Sequence, residues 1–235
     1  MDLLGSLAED PAHTGLFLDV DGVLAPIVPR PEDARVPEET RVELRRLDAR
    51  YALVACISGR AGETAAQIVG VPELTYVGNH GLELEPAAQE WGERLRAFLA
   101  GVDWDGLEDK QLSAALHYRN AADPSAARAE LEAIAGRARA EGFVARFGRK
   151  VLELLPPLEA NKGTAVRQLL EEHALRRALY AGDDTTDLDG FRSLEQLELA
   201  VRVAVASPEG PAELREGADI VVGSPPEVLE ILRRL

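Results

Sequence analysis

The stretch Leu16-Phe17-Leu18-Asp19-Val20-Asp21-Gly22-Val23 runs an apolar segment straight into two acids spaced two residues apart and a glycine. It reads as a buried strand breaking into a loop, since Asp and Gly favour turns and an ionised side chain has no place inside a strand buried on both faces. Successive strand side chains point to opposite faces, so once the strand loosens Asp19 aims at one ligand atom while Asp21 reaches around it. That arrangement suits one group that attacks and a second that moves protons. On its own the pair is equally compatible with a simple turn, and the rest of the chain decides.

On either side of this stretch, short β-like runs recur between helical stretches: Leu16 to Leu18, Leu53 to Ile57, Thr75 to Val77, Leu179 to Ala181, Val201 to Val205 and Ile220 to Val222. Between them Val166, Leu169, Leu170 and His173 repeat at helical spacing, and Ser224-Pro225 starts a helix carrying Val228, Ile231 and Leu232. This alternation predicts an α/β fold with a doubly wound parallel sheet. The middle differs. Trp91, Leu95, Phe98, Leu99 and Val102 trace one helix face; Leu112 to Tyr118 alternate as a strand; Asp123-Pro124 caps a helix with Leu131 and Ile134; and strands follow at Phe143 to Phe147 and Lys150 to Leu155. That is an α+β insert, edged by the stiff Glu85-Pro86 and Pro156-Pro157. The expected division is a core of residues 1–85 and 157–235 and an inserted domain of residues 86–156.

A 235-residue chain with 46% hydrophobic residues buries a full core. Its formal charge of -15 argues against duplex nucleic acid or anionic lipid as partners, because both need a broad basic surface. Any anion must be gripped locally. The single cysteine, Cys56, lies in an apolar run, which excludes internal disulfides and fits a reducing, cytoplasmic setting. Met1 to Gly15 has no basic and apolar leader pattern, and no apolar stretch approaches membrane-spanning length, so neither export nor a membrane span is expected. Lysine occurs only at 110, 150 and 162, against 23 arginines, which raises the question of why position 162 is lysine.

In open parallel sheets ligands bind beyond the carboxyl ends of the strands. The chain delivers Asp19 and Asp21 there, then Ser58-Gly59-Arg60, then Lys162-Gly163 before a helix, and Gly182-Asp183-Asp184-Thr185-Thr186-Asp187. Ser58-Gly59 offers a hydroxyl and amides to an anion or simply caps a helix; Lys162 is an anion contact or a solvated lysine. Asp183, Asp184 and Asp187 crowd three carboxylates into five residues, and a hard cation such as Mg²⁺ relieves their repulsion. A nucleophilic carboxylate, an acid/base, a hydroxyl, a lysine and a metal cluster together supply what phosphoryl transfer needs.

These four segments, in this order, resemble the haloacid dehalogenase superfamily over nearly the whole chain. The resemblance implies a Rossmann-like core with Asp19 as the nucleophile forming an aspartyl-phosphate, and with Asp21 protonating the leaving sugar oxygen and then activating water. It implies Ser58 and Lys162 on the phosphoryl group, and Mg²⁺ on the Asp19 carboxylate, the Asp21 carbonyl and Asp183, with Asp184 and Asp187 supporting; which of Asp183, Asp184 and Asp187 ligates directly stays open. Within that superfamily, Asp21-Gly22-Val23-Leu24-Ala25-Pro26-Ile27, Ser58-Gly59-Arg60, Gly78-Asn79-His80-Gly81, His117-Tyr118-Arg119, Val151-Leu152-Glu153 and Gly182-Asp183-Asp184 look like the trehalose-6-phosphate phosphatases. The insert would then be their cap, closing over the core to exclude water. Substrate contacts would come from Gly59, Arg60, Asn79, His80 and Gly81, and from His117, Arg119, Arg149 and Glu153 of the insert. His117 and Arg119 fall on the strand face opposite Leu116 and Tyr118, and Arg149 and Glu153 share a face, so sugar hydroxyls could find partners there; a merely solvated sheet face has the same pattern.

Two positions depart from the family pattern. Val23 stands where threonine is commoner, and Leu155 where a basic residue usually precedes the proline, which bears on substrate identity more than on reaction type. The resemblance thus implies a trehalose 6-phosphate hydrolase using Mg²⁺, with trehalose-6-phosphate synthase on a separate chain as its pathway partner. A sucrose-phosphate or mannosyl-3-phosphoglycerate phosphatase, a phosphomutase and a non-catalytic phosphosugar sensor are the competing readings.

Overall fold

A computed structural model describes residues 2–148, 150–207 and 210–235. In chain order it forms α1 (Leu3–Ala8), β1 (Thr14–Leu18), α2 (Glu38–Asp48), β2 (Leu53–Ile57), α3 (Gly62–Val69) and β3 (Thr75–Val77). There follow α4 (Ala88–Leu99), β4 (Leu107–Asp109), β5 (Ala114–His117), α5 (Pro124–Ala140), β6 (Val144–Phe147) and β7 (Val151–Leu155). The chain ends with α6 (Lys162–Glu172), β8 (Arg177–Gly182), α7 (Asp187–Ser193), β9 (Leu199–Val205), α8 (Ala212–Glu216), β10 (Ile220–Val222) and α9 (Pro225–Arg233). It divides into two compact units, residues 1–81 with 160–235, and residues 82–159.

In the first unit six strands form one sheet in the order β10-β9-β8-β1-β2-β3, and every neighbouring pair is parallel. All five residues of β1 and of β2 are buried, as expected of strands covered on both faces. Leu16, Leu18, Val54, Cys56, Leu179 and Val203 join one apolar cluster with Leu4 and Leu7 of α1, Leu44 and Leu47 of α2, and Val228 and Leu232 of α9. Each large side chain so buried contributes roughly 1.5–3 kcal/mol from removal of apolar surface from water. From the other face Tyr180 meets Phe191 of α7 edge-on, with ring centroids 5.9 Å apart. The chain steps from β1 through β2 to β3 on one side, then starts again beside β1 at β8 and steps outward to β10. The reversal falls at β1, so Asp19 stands where the crevice of a doubly wound sheet opens.

The second unit is an antiparallel sheet in the order β4-β5-β7-β6. Ala114, Leu116, Leu152 and Leu154 pack with Leu95, Phe98 and Leu99 of α4 and with Leu131, Ile134 and Ala138 of α5. The Asp123 carboxylate accepts from the Ser125 and Ala126 amides at 2.9 and 3.1 Å, the cap that Asp123-Pro124 predicts for α5. β4 is not predicted from sequence: three residues with two acids, it becomes a strand through pairing with β5.

Candidate active site

Parallel register sets Leu18 beside Cys56 on one side and Ala181 on the other, which brings the residues after β2 and β8 level with Asp19. The Asp19 amide donates to the Ala181 carbonyl at 2.9 Å, so the chain stays clamped to β8 one residue past the strand. Asp19 is only 6% exposed; one carboxylate oxygen accepts from the Val20 amide at 2.8 Å and the other lies 2.9 Å from Lys162 Nζ. Lys162 is 2% exposed and also donates to Asp187 Oδ1 at 2.7 Å. Of the two readings of Lys162, the solvated one is therefore excluded. Its placement follows from helix entry: Asn161 caps α6, its side chain accepting from the Thr164 amide while Thr164 Oγ1 accepts from the Asn161 amide, both at 2.9 Å. Lys162 is the first residue of that helix.

Asp187 is fully buried at the start of α7. Its Oδ1 accepts from Lys162 and from the Tyr180 hydroxyl, each at 2.7 Å, and its Oδ2 accepts from the amides of Asp183 and Asp184 at 3.0 and 2.9 Å. A carboxylate with two bonds on each oxygen is committed to holding its neighbours, so Asp187 shapes the Asp183-Asp184 turn and fixes Lys162. Tyr180 is the residue that sequence reading misses here. It lies in an apolar run that reads as pure core.

Asp183 is part-buried and Asp184 exposed, with Asp184 accepting from the Thr185 amide at 2.6 Å. Gly22, at φ +81°, lets the backbone turn back toward Asp183; a Cβ there would strike the Asp183 carboxylate. Carboxylate oxygens of Asp19, Asp183 and Asp187 lie within 4.8 Å of one another. Burial first, then the Asp187 charge, pushes the Asp183 carboxyl up to about 7. Burial pushes Asp19 well up too, against the pull of the Lys162 ammonium. For Lys162 burial favours the neutral form, but Asp19 and Asp187 outweigh it and hold the ammonium above its ordinary range. Hard oxygen donors whose ionised forms repel one another fit a hard divalent cation, so the residues present suit magnesium.

Asp21 takes a bidentate pair from Arg60, Nε to Oδ2 at 2.6 Å and Nη2 to Oδ1 at 2.8 Å. Ser58 is buried at the end of β2, and its Oγ accepts from the Arg60 amide at 3.1 Å. Gly59 lies against the His80 ring, too close for a Cβ. Asn79, His80 and Gly81 take φ of +52°, +53° and +100°, three left-handed residues in succession, pinned by the Asn79 amide on the Arg60 carbonyl at 2.8 Å and the His80 amide on the Ser58 carbonyl at 2.9 Å. Left-handed backbone at non-glycine residues costs of order 1–3 kcal/mol each and is a mark of constrained, often functional loops. Asp19, Asp21, Ser58, Gly59, Arg60, Asn79, His80, Gly81, Lys162, Asp183, Asp184 and Asp187 all belong to the first unit.

In the second unit register places Glu108, Ala115, Glu153 and Arg146 in one row across the sheet, on the face opposite the apolar cluster. His117 is exposed, its Nε2 3.0 Å from Glu108 of β4. Arg119 is exposed just beyond β5, and Glu153 is part-buried. Arg149 lies outside the described residues.

The fold is that of the haloacid dehalogenase superfamily: a haloacid dehalogenase-like hydrolase from Bacteroides thetaiotaomicron superposes with a TM-score of 0.61 at 15% identity, covering 94% of this chain and 99% of that one. The C-terminal domain of trehalose-6-phosphate phosphatase from C. albicans superposes with a TM-score of 0.71 at 22% identity, over 98% of this chain and 94% of that one. In sequence, the trehalose-phosphate phosphatase of Mycobacterium avium is 34% identical over 76% of this chain, which spans about half (51%) of that relative's length. A probable trehalose-phosphate phosphatase of Sinorhizobium fredii is 32% identical, with 90% of this chain and 85% of the relative covered. The trehalose-phosphatase family model matches residues 17–104 and 105–216, a span that takes in Asp19 and Asp21, the Ser58 turn, Lys162 and the Asp183 turn; by sequence and by fold, this chain belongs to the trehalose-phosphatase family.

Proposed function

We propose that this chain hydrolyses trehalose 6-phosphate to trehalose and phosphate through a phosphorylated Asp19. The observation that carries the reaction type is the buried Lys162 ammonium bound between Asp19 and Asp187 at the head of β1, beside Asp183. Such a site places a fixed cation against a carboxylate nucleophile, which is how phosphoryl transfer is served by positioning and charge. Family membership supports the substrate.

In this reading an Asp19 oxygen attacks phosphorus, the bond from phosphorus to the sugar oxygen breaks, and Asp21 gives that oxygen a proton. Trehalose leaves, and the phosphoryl group remains on Asp19. Asp21, now a carboxylate, takes a proton from water as the water oxygen attacks phosphorus; the bond to Asp19 breaks and phosphate is released. Ser58 and Lys162 hold the phosphoryl oxygens throughout; with the Arg60 amide already donating to Ser58 Oγ, the hydroxyl proton is left to donate outward. The Asp19 carboxylate, the Asp21 carbonyl and Asp183 would hold Mg²⁺, with Asp184 beside them and Asp187 fixing the turn. Bound there, magnesium supplies positive charge against the phosphoryl oxygens and favours the ionised forms of the carboxyls.

Sugar hydroxyls are assigned to Gly59, Asn79, His80 and Gly81, and in the second unit, the cap, to His117, Arg119, Arg149 and Glu153. The domain limits of this reading are a core of residues 1–85 and 157–235 with an inserted cap of residues 86–156, and the substrate is made elsewhere by a separate synthase in the same cytoplasmic compartment. The test is phosphate release from trehalose 6-phosphate, glucose 6-phosphate, sucrose 6-phosphate and mannosyl-3-phosphoglycerate, with Mg²⁺ and with excess chelator. The expected result is strong preference for the first, lost on chelation. Preference for another ester would leave the reaction and overturn the substrate; binding without turnover would replace the enzyme by a sensor.

A further inference from the structure

The position of Arg60 directly after Ser58-Gly59 suggests a ligand for substrate, yet its side chain is spent elsewhere. Nε and Nη2 grip the two oxygens of Asp21 at 2.6 and 2.8 Å, and Nη1 donates to the Pro31 carbonyl at 3.1 Å. Its backbone is equally fixed, with its amide on Ser58 Oγ at 3.1 Å and its carbonyl accepting from Asn79 at 2.8 Å. All three arms of the guanidinium thus have partners, and 39 residues of chain separate the two halves of the ion pair. The carboxylate has about four lone-pair sites. A bidentate fork takes one on each oxygen and sets the plane and heading of the group, leaving the other two for a proton.

We propose that Arg60 is a positioning residue for Asp21, aiming the acid/base rather than binding the substrate phosphoryl group. The proposal rests on the phosphatase reading. It makes Arg60 act on one event, proton delivery to a poor leaving group, and leaves the phosphoryl group to Ser58, Lys162 and the metal. The second tether, to Pro31, explains why lysine would not serve: a compact ammonium cannot make a parallel pair with Asp21 and reach a carbonyl on its far side.

Two esters that differ only in their need for an acid separate these roles. Nitrophenolate departs from p-nitrophenyl phosphate without a proton, whereas the sugar oxygen of trehalose 6-phosphate needs one. Single-turnover rates of the first step are measured with Mg²⁺ for wild type, Arg60→Met and Arg60→Lys, each first shown by circular dichroism to be folded. General acid catalysis is worth about 10²–10⁴-fold, so loss of aim should slow the sugar ester roughly tenfold or more, while the nitrophenol burst stays within about twofold and KM holds. Arg60→Lys, which is the less disruptive change, should recover only part of the sugar-ester rate. Equal slowing of both esters, or a raised KM with the rate intact, would place Arg60 on the phosphoryl group and overturn the proposal. A wild type that turns over neither ester would instead remove the phosphatase reading, and this inference with it.

Discussion

Changing Tyr180 to phenylalanine deletes a single oxygen from the middle of the core unit. Tyr180 is fully buried, and among the described residues its hydroxyl has one partner, Asp187 Oδ1 at 2.7 Å. The ring itself is clamped: Phe191 meets it edge-on, and Gly190 lies so close that a Cβ there would strike it. Phenylalanine therefore keeps the packing and removes one bond to a carboxylate. A hydrogen bond to a charged group is worth about 1.5–3 kcal/mol net. For a domain of this size each kcal/mol moves Tm by about 2–4 °C, so the variant should melt roughly 3–12 °C lower. The loss should stay at the low end, because Asp187 retains Lys162 and two amides. Calorimetry of the chelated proteins measures it, with urea unfolding to check that the slope is unchanged. A melting point within a degree of wild type would mean that the hydroxyl contributes nothing and that the Asp187 network is held by its other three donors alone.

Asp19→Asn should fold, since the amide nearly keeps the shape, and should release phosphate at background rate; activity near wild type would remove Asp19 as nucleophile. For Asp183 the sign follows from its raised value of about 7: the folded state holds the proton more tightly than the unfolded one. Its contribution is therefore full below its ordinary 3.8 and is lost as pH rises through about 7, so chelated wild type should lose stability relative to Asp183→Asn between those limits, and no convergence or divergence of the two melting curves with pH would refute it. Lys162→Arg should lower both Tm and turnover: the site between Asp19 and Asp187 is 2% exposed and filled by a point charge, and overpacking a core costs about 1–3 kcal/mol. Unchanged melting would show that the pocket admits a guanidinium.

The parallel sheet was legible because β1, β2 and β8 are short buried runs that stop at Asp19, Ser58 and Gly182, with helical spacing between them. The antiparallel unit was legible through Asp123-Pro124 and the alternation around Leu116, but not β4, where Leu107-Glu108-Asp109 has no strand propensity and pairing with Leu116 to Ala114 imposes the conformation. Asn79, His80 and Gly81 are all residue types enriched in left-handed backbone, but type alone does not show that all three adopt it; the hydrogen bonds that force the loop end on the Ser58 and Arg60 carbonyls across the sheet edge. Local pattern fixes which residues arrive at the carboxyl ends of the strands. It does not fix which of them face each other once there.

That distinction explains the two side chains whose work the sequence hides. Tyr180 looks like core because it is core; its hydroxyl acquires a task only when α7 turns Asp187 back over β8. Arg60 looks like an anion contact because it follows Ser58-Gly59, and becomes a partner of Asp21 only when β1 and β2 lie side by side. In both cases a carboxylate is held by a donor from another segment, which favours its ionised form against the repulsion of the neighbouring acids. Lys162 answers the question its rarity raised. In a chain that uses arginine almost everywhere else, a fully buried cation touching two carboxylates from different strand ends has to be compact, and its three donors have to point in three directions rather than in one plane.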